Sequence, residues 1–540
     1  MTKPKLAQLT VDGRRLEAPE GSPLLQAMLD AGMDIPHYCY HPKLSIDGSC
    51  RLCMVRIEGM PKLQISCNTP VRSGMVVHTA EPEVAEASRG VLEMLLLNHP
   101  LDCPICDKAG ECWLQNYSMR FGSRVARTVE PRRKHGKRLD IGERMLLDQE
   151  RCILCRRCVR FCREISRTGE LVIFNLGDES LLDIYDRRLD NAYSMCTADI
   201  CPVGALETKD FHHRIRVWFL EEVASVCPGC ANGCNITIGH HLNRIWRLMP
   251  RRNDAVNDTW MCDAGRFTYK AVQGPERLFR PMVPHNGNME ECRWSEGLAT
   301  AANGLLRTID RHGGAAIAAL ASPHLTVEDN FHFQRLLRAI GVERVAMTVP
   351  RGPADDFLIK EEKAPNARGV RELGLVEGAD DGIGQLLRAV ESGQVKALYV
   401  CGVDPADVVE RNRLGKIIGG LEVLIVQATT LKSPLERPTV FLPSTAWPEK
   451  NGTFVNHAGR AQRIHKAIDP PREWMTDEEI FVAIRNRLCN EHERFEMART
   501  WNEIAHACSA FSSVSFERIG PDGVQVGAQA SQEAMSGART

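Results

Sequence analysis

The sequence predicts a multi-domain protein, α+β in its first half and α/β in its second. Three observations carry that reading. At 540 residues the chain is too long for one hydrophobic core. Seventeen of its 21 cysteines lie before residue 263, in closely spaced groups. From residue 290 the cysteines thin out and strand-like runs alternate with helix-like ones, the pattern of a largely parallel sheet covered on both faces. Close cysteine spacing in a long chain that opens without a basic-then-apolar leader reads as metal ligation in a reducing cytoplasm, not as a secreted disulfide scaffold.

Bulk properties exclude several partners. A net charge of −1 and a pI near 7.0 point away from nucleic acid and from anionic membrane surfaces. The arginine-rich piece from Arg124 to Arg144 reads as a solvated linker or a partner-docking strip. The longest apolar stretches, Val91 to Leu97 and Ala315 to Ala321, are too short to span a bilayer. No G-x-G-x-x-G follows a strand, so there is no dinucleotide fingerprint.

Leu9-Thr10-Val11-Asp12-Gly13-Arg14-Arg15-Leu16-Glu17 predicts a hairpin about Asp-Gly. Ser22-Pro23 starts a helix, Leu24 to Leu29, that ends near Gly32. Cys39, Cys50, Cys53 and Cys67 follow as C-x10-C-x2-C-x13-C. Val84, Ala87, Val91, Met94 and Leu95 recur at helical spacing, with Pro82 near the start and Pro100 past the end, and predict a helix over 82–98. His99, Cys103, Cys106 and Cys112 come next. Each of these two sets, taken alone, suits four-coordinate zinc as well as iron–sulfur.

Cys152, Cys155 and Cys158 form C-x2-C-x2-C, Cys162 follows, and Cys201 opens Cys201-Pro202. In ferredoxins with two cubanes, three close cysteines plus a distant Cys-Pro cysteine hold one [4Fe–4S] cluster. A second run ending at Cys201 needs cysteines at 191, 194 and 197, where the chain has Asn191, Ser194 and Thr197. One cubane is therefore expected, on Cys152, Cys155, Cys158 and Cys201, with Cys162 left over. Cys227, Cys230, Cys234 and Cys262 enclose a strand-like passage, Ile236 to Leu248, and lead into Gly265-Arg266-Phe267. The other isolated cysteines, Cys196, Cys292, Cys401, Cys489 and Cys508, read with Cys162 as small buried apolar groups.

Further on, strands are predicted at Ala315–Leu320, Lys396–Val400 and Leu421–Val426. Helices are predicted from Thr326 as cap through Gly341, over Ile383–Glu391 and over Arg411–Ile418. Pro521 to Thr540 is small and polar and is expected to be disordered.

The first cysteine set, after its hairpin and helix, resembles the β-grasp [2Fe–2S] fold. Its long first gap is the variant seen at the start of complex I and hydrogenase electron-transfer subunits. The second is similar to the histidine-plus-three-cysteine [4Fe–4S] motif of the same subunits. The third resembles a ferredoxin, and the fourth the first domain of molybdopterin oxidoreductases. Each set alone allows zinc; all four in this order leave it little room. That order, with a cysteine-poor α/β region behind it, resembles the large iron–sulfur subunit of respiratory complex I. Phe441-Leu442-Pro443, Asn451 to Asn456 and Gly459-Arg460 also look like this family.

The resemblance implies six parts: a [2Fe–2S] domain over 1–80, a histidine-plus-three-cysteine domain over 81–120 and a ferredoxin-like domain over 121–219. A molybdopterin-type [4Fe–4S] domain over 220–275, a degenerate α/β region over 276–520 and a tail over 521–540 complete it. It implies one [2Fe–2S] and three [4Fe–4S] clusters, with His99 a ligand, and no acid, base or nucleophile. Single electrons would pass from a flavin-bearing, NADH-oxidising partner towards quinone-side iron–sulfur subunits, with ion translocation in a membrane arm that this chain touches only through partners. The Cys227–Cys262 cluster is a side position in that family. An NAD-linked formate dehydrogenase subunit or a hydrogenase diaphorase shares part of the order. The former needs a molybdenum ligand on a loop after a strand. Here Val345 to Pro353 is the nearest match and puts Pro350 at that position, with only Thr348 offering an oxygen. No molybdenum or molybdopterin is expected.

Overall fold

Asp12 and Gly13 both take positive φ, 49° and 79°. That is the backbone of a two-residue type I′ hairpin turn, and Asp-Gly adopts it at little cost. Leu6–Val11 and Arg14–Pro19 therefore pair in tight register, Val11 opposite Arg14. In this computed structural model, which describes residues 5–377, 381–402, 411–433, 435–470 and 472–527, the chain divides into two compact units, Met1–Leu220 and Glu221–Thr540.

In the first unit the hairpin joins a five-stranded sheet with Val76–His78, Met54–Ile57 and Gln64–Ile65. Helix Leu24–Asp30 turns Leu24, Leu25 and Met28 into the same core as Leu9, Val11, Val55 and Val77. Hairpin, helix and mixed sheet are the β-grasp arrangement. The second helix runs Pro82–Asn98, the predicted bounds. Pro100 drives the residue before it out of the helical region, and His99 is extended at φ −63°, ψ 127°. The ferredoxin-like part has helix Arg157–Glu164, hairpin Leu171–Phe174/Leu181–Ile184, and a small sheet of Leu206–Thr208, Met145–Leu147 and Leu139–Asp140.

The second unit starts with three antiparallel strands, Glu221–Val226, Asn235–His241 and Arg244–Pro250. The passage read as one strand from Ile236 is thus a hairpin. It turns at Leu242 and Asn243, both at positive φ, a conformation that asparagine tolerates and leucine does not favour. A seven-stranded sheet follows. Five parallel strands lie in the order Val440–Pro443, Val423–Ala428, Ala397–Cys401, Ile317–Ala321, Arg344–Met347. Hairpin Met282–His285/Asn288–Glu291 adds to the edge at Val440–Pro443. Alternate residues of each buried strand enter different cores: Ile317, Ala319 and Ala321 in one, Ala318 and Leu320 in the other. Both faces are covered, as the unbroken apolar runs predict.

Thr326 caps helix Val327–Ala339, its side chain accepting from the Asp329 amide, and Asp329 closes the capping box. Disorder expected from Pro521 is contradicted as far as Val526. Val524–Gln525 pairs with Arg460–Ala461 and Val526 is buried in the core, while residues 528–540 lie outside the described residues. Among the described residues no helix is long and apolar enough to cross a membrane.

Candidate metal centres

The first set sits in the loop between the helix Leu24–Asp30 and the sheet. Cys39, Cys53 and Cys67 are buried and Cys50 is half-buried. The Cys39 thiol is in hydrogen-bond contact with those of Cys50 and Cys67, and Cys53 with Cys67. Sharing these contacts pulls Cys39 down and Cys53 to about 7, against burial, while Cys50 and Cys67 are pushed up. Four sulfurs crowded enough to compete for protons suit a thiolate-ligated metal. Arg51, inside the C-x2-C turn, holds a left-handed φ of 54°. A non-glycine residue there is strained and persists only where the surrounding packing holds it.

His99 follows directly on its helix. Burial, then the charge of Arg151, lowers it to about 4, and its buried Nδ1 has no hydrogen-bond partner among the described residues. A neutral imidazole with an unspent lone pair is the state a metal ligand needs. Cys106 and Cys112 are buried, burial pushing both thiols up, Cys106 to about 11. Arg151 acts on His99 and on Cys106, so these two share a neighbour. Cys103 is exposed, in the turn whose carbonyl accepts from the Cys106 amide at 3.4 Å.

The third set shares one apolar cleft. Cys152, Cys155, Cys158 and Cys201 line it with Leu154, Ile173, Leu182, Val203 and Leu206. Burial pushes the thiols of Cys152, Cys155 and Cys158 up, Cys155 to about 11 and Cys158 well above the usual range, so a metal would have to displace protons there. The Leu154 amide already points at the Cys152 sulfur at 3.4 Å. Cys162 is fully buried but is not part of the cleft lining. Burial, then Glu170, pushes its thiol up to about 12. Asn191 donates to Glu170 at 3.0 Å and Thr197 to the Ser194 carbonyl at 2.7 Å, so the residues in the vacant second run are occupied locally.

The second and third sets abut. A Cβ on Gly204 would lie 2.3 Å from the Cys106 sulfur, and the Trp113 amide donates to the Pro202 carbonyl at 2.9 Å. Only glycine leaves room for that approach.

In the second unit Cys227, Cys230 and Cys234 are buried and Cys262 half-buried, each within electrostatic reach of the others. The Cys227 amide donates to Cys234 O at 2.8 Å, and Asn232 Nδ2 to Cys234 Sγ at 3.1 Å. A Cβ on Gly265 would lie 3.0 Å from the Cys227 sulfur and 3.5 Å from that of Cys262, which explains a glycine after Asp263-Ala264. The α/β region grips this loop: Asn456 Nδ2 donates to Asn232 O at 3.1 Å and Gln462 Nε2 to Gly233 O at 3.0 Å.

Sequence reasoning missed the buried arginines among the cysteines. Arg151 pairs with Asp148 and Glu207, and Arg160 donates to the carbonyls of Cys39 and Ser45. The available signal was arginines interleaved with the cysteines at positions 151, 157 and 160. It also missed Asp107, His212 and His213, whose ligand atoms lie within 4.8 Å of one another. The two imidazoles stack at 3.8 Å and 21°, so their in-plane lone pairs run side by side instead of converging.

Comparisons with known proteins follow the same order. A 2Fe-2S iron-sulfur cluster binding domain matches residues 5–82, and an NADH-ubiquinone oxidoreductase-G iron-sulfur binding region matches residues 89–127. The ferredoxin-like domain of NADH-quinone oxidoreductase subunit 3 matches residues 142–207. An NDSU1/NuoG-like 4Fe-4S domain matches 220–270 and a molybdopterin oxidoreductase model 364–487. The NADH-quinone oxidoreductase G subunit of Rickettsia felis is 39% identical over 337 residues, 62% of this chain and 49% of that one. The mitochondrial NADH-ubiquinone oxidoreductase 78 kDa subunit of Neurospora crassa is 38% identical over 355 residues, 65% of this chain and 47% of that one. A solved chain of an NAD+-reducing [NiFe]-hydrogenase is 32% identical and covers 39% of this chain and 91% of its own, with a TM-score of 0.36. The chain matches about half the length of the curated relatives. Over the residues these models match, the chain carries [2Fe–2S] and [4Fe–4S] binding domains in that order, and it is similar there to NADH–quinone oxidoreductase G subunits.

Proposed function

We propose that the chain holds one [2Fe–2S] and three [4Fe–4S] clusters and carries single electrons from a flavin-bearing, NADH-oxidising subunit towards the quinone-side iron–sulfur subunits of an NADH–quinone oxidoreductase. The observation that carries this is the abutment of the second and third sets, with Gly204 against the Cys106 sulfur. Separate structural zinc sites have no need of such contact. The ligands are Cys39, Cys50, Cys53 and Cys67; His99, Cys103, Cys106 and Cys112; Cys152, Cys155, Cys158 and Cys201; and Cys227, Cys230, Cys234 and Cys262. When bound, such clusters exchange one electron at a time, at potentials set by net charge, hydrogen bonds to sulfur and burial. The protein supplies dry, apolar walls such as Leu154, Leu182 and Leu206, amides directed at sulfur, and a neutral imidazole at His99. The last makes its cluster one unit less negative than four thiolates would.

The six-part division given above is part of this proposal, as is a peripheral place on the cytoplasmic face of the membrane, reached through partner subunits. The α/β region serves structure and docking: Pro350 follows strand Arg344–Met347 where a molybdenum ligand would be needed. Anaerobic metal analysis of the native assembly is expected to give about 14 irons for this chain, as one two-iron and three four-iron clusters require, and no stoichiometric molybdenum or tungsten. Zinc in any complete set overturns that assignment. Molybdenum with formate oxidation favours the dehydrogenase reading. The chain alone, reconstituted with iron and sulfide, is expected not to reduce ferricyanide with NADH. Activity there would reveal a nucleotide and flavin site.

A further inference from the structure

One guanidinium reaches three of the four sets. Arg157 lies between Cys155 and Cys158 on helix Arg157–Glu164 and is 2% exposed. Its Nη2 donates to the carbonyl of Tyr40, the residue after Cys39. Its Nη1 donates at 3.3 Å to the carbonyl of Ile200, the residue before Cys201. Its Cζ lies 4.4 Å from the centre of the ring of Trp113, the residue after Cys112. The charge acts on the thiols of Cys155, Cys39 and Cys201.

No carboxylate pairs with it among the described residues, and its Nε is buried without a partner. Arg151, by contrast, has Glu207 at 2.7 Å and Asp148 at 3.2 Å. A buried cation without a carboxylate partner, and with the Arg160 guanidinium close enough to act on it, is costly unless an anion compensates it. Sulfurs that bind iron as thiolates are such an anion.

We propose that Arg157 is a positioning residue that ties the ligand loops of Cys39, Cys112 and Cys201 to one helix and raises the midpoint potentials of the [2Fe–2S] and ferredoxin-type clusters. The inference rests on the cluster reading above. Reduction adds a negative charge, and a fixed positive charge in a dry site favours the more negative state. Carbonyl acceptors on two sides and a ring face on the third match a planar guanidinium. An ammonium supplies the charge without that fork.

The test uses the full chain in its native complex, with Arg157→Gln and Arg157→Lys. Redox titration followed by electron paramagnetic resonance is read beside iron and sulfide content. At full iron, Arg157→Gln is expected to lower the ferredoxin-type cluster's midpoint by at least the equivalent of a tenfold change in the reduced-to-oxidised ratio, about 59 mV for one electron. The [2Fe–2S] midpoint falls too, and Arg157→Lys recovers more than half of both shifts. Unchanged midpoints in Arg157→Gln at full iron reduce Arg157 to packing and overturn the proposal. So does Arg157→Lys shifting as far as Arg157→Gln. If Arg157→Gln loses iron, Arg157→Lys decides: parental iron and midpoints support the proposal, and iron loss in both overturns it. Missing iron in the parent chain is a failure of the cluster reading instead.

Discussion

Cys201→Ala abolishes one [4Fe–4S] signal and about four irons per chain, whereas Cys162→Ala leaves both in place. Cys201 faces the apolar cleft with Cys152, Cys155 and Cys158. Its removal leaves three thiols against leucine, isoleucine and valine side chains, with no oxygen or nitrogen ligand among the lining residues to replace it. Cys162 is only four residues past Cys158 and equally buried, yet its thiol is directed to Glu170, outside that lining. Losing one sulfur from a packed site costs about 1 kcal/mol, which the chain tolerates. Iron analysis with electron paramagnetic resonance separates the two outcomes. Loss of a cluster in Cys162→Ala reassigns the ligands.

Lys450→Met destabilises the second unit by about 3–5 kcal/mol, the usual cost of breaking a buried ion pair from one side. Lys450 is 2% exposed at its side chain, and its Nζ lies 2.6 Å from Asp329 and 2.7 Å from Asp477. Both carboxylates are fully buried at the start of helices, Asp329 in the first turn of Val327–Ala339 and Asp477 opening Asp477–Cys489. Asp477 also accepts from Gln427 at 2.7 Å, and from Ser444 and Thr445. The helix amides and these donors soften the two negative charges, but only Lys450 neutralises one. Burial, followed by the charge of Asp329, pushes Glu478 well above the carboxylate range. Methionine preserves much of the volume and leaves Asp329 and Asp477 facing each other unpaired. Denaturant unfolding, followed by near-ultraviolet circular dichroism of the C-terminal unit's transition, measures the loss. A change below about 1 kcal/mol sinks the ion-pair account.

What the sequence by itself determined was local. The proposed ligand sets are spaced within stretches of a few dozen residues, so the order of the four proposed centres is visible as cysteine spacing. The Asp12-Gly13 turn and the bounds Pro82–Asn98, Ile383–Glu391 and Arg411–Ile418 follow from residues that interact within a turn or two of chain. Sheet coverage was legible for the same reason, because a strand buried on both faces must be apolar at every position. The tertiary structure alone decided which separate segments share a site. Arg157 meets Tyr40 from 117 residues away, Lys450 meets Asp329 from 121, and Gly204 lies against the Cys106 sulfur. No periodicity or spacing encodes such pairs. They arise when packing removes water from charges and sulfurs and leaves each only the partner that the fold has brought beside it.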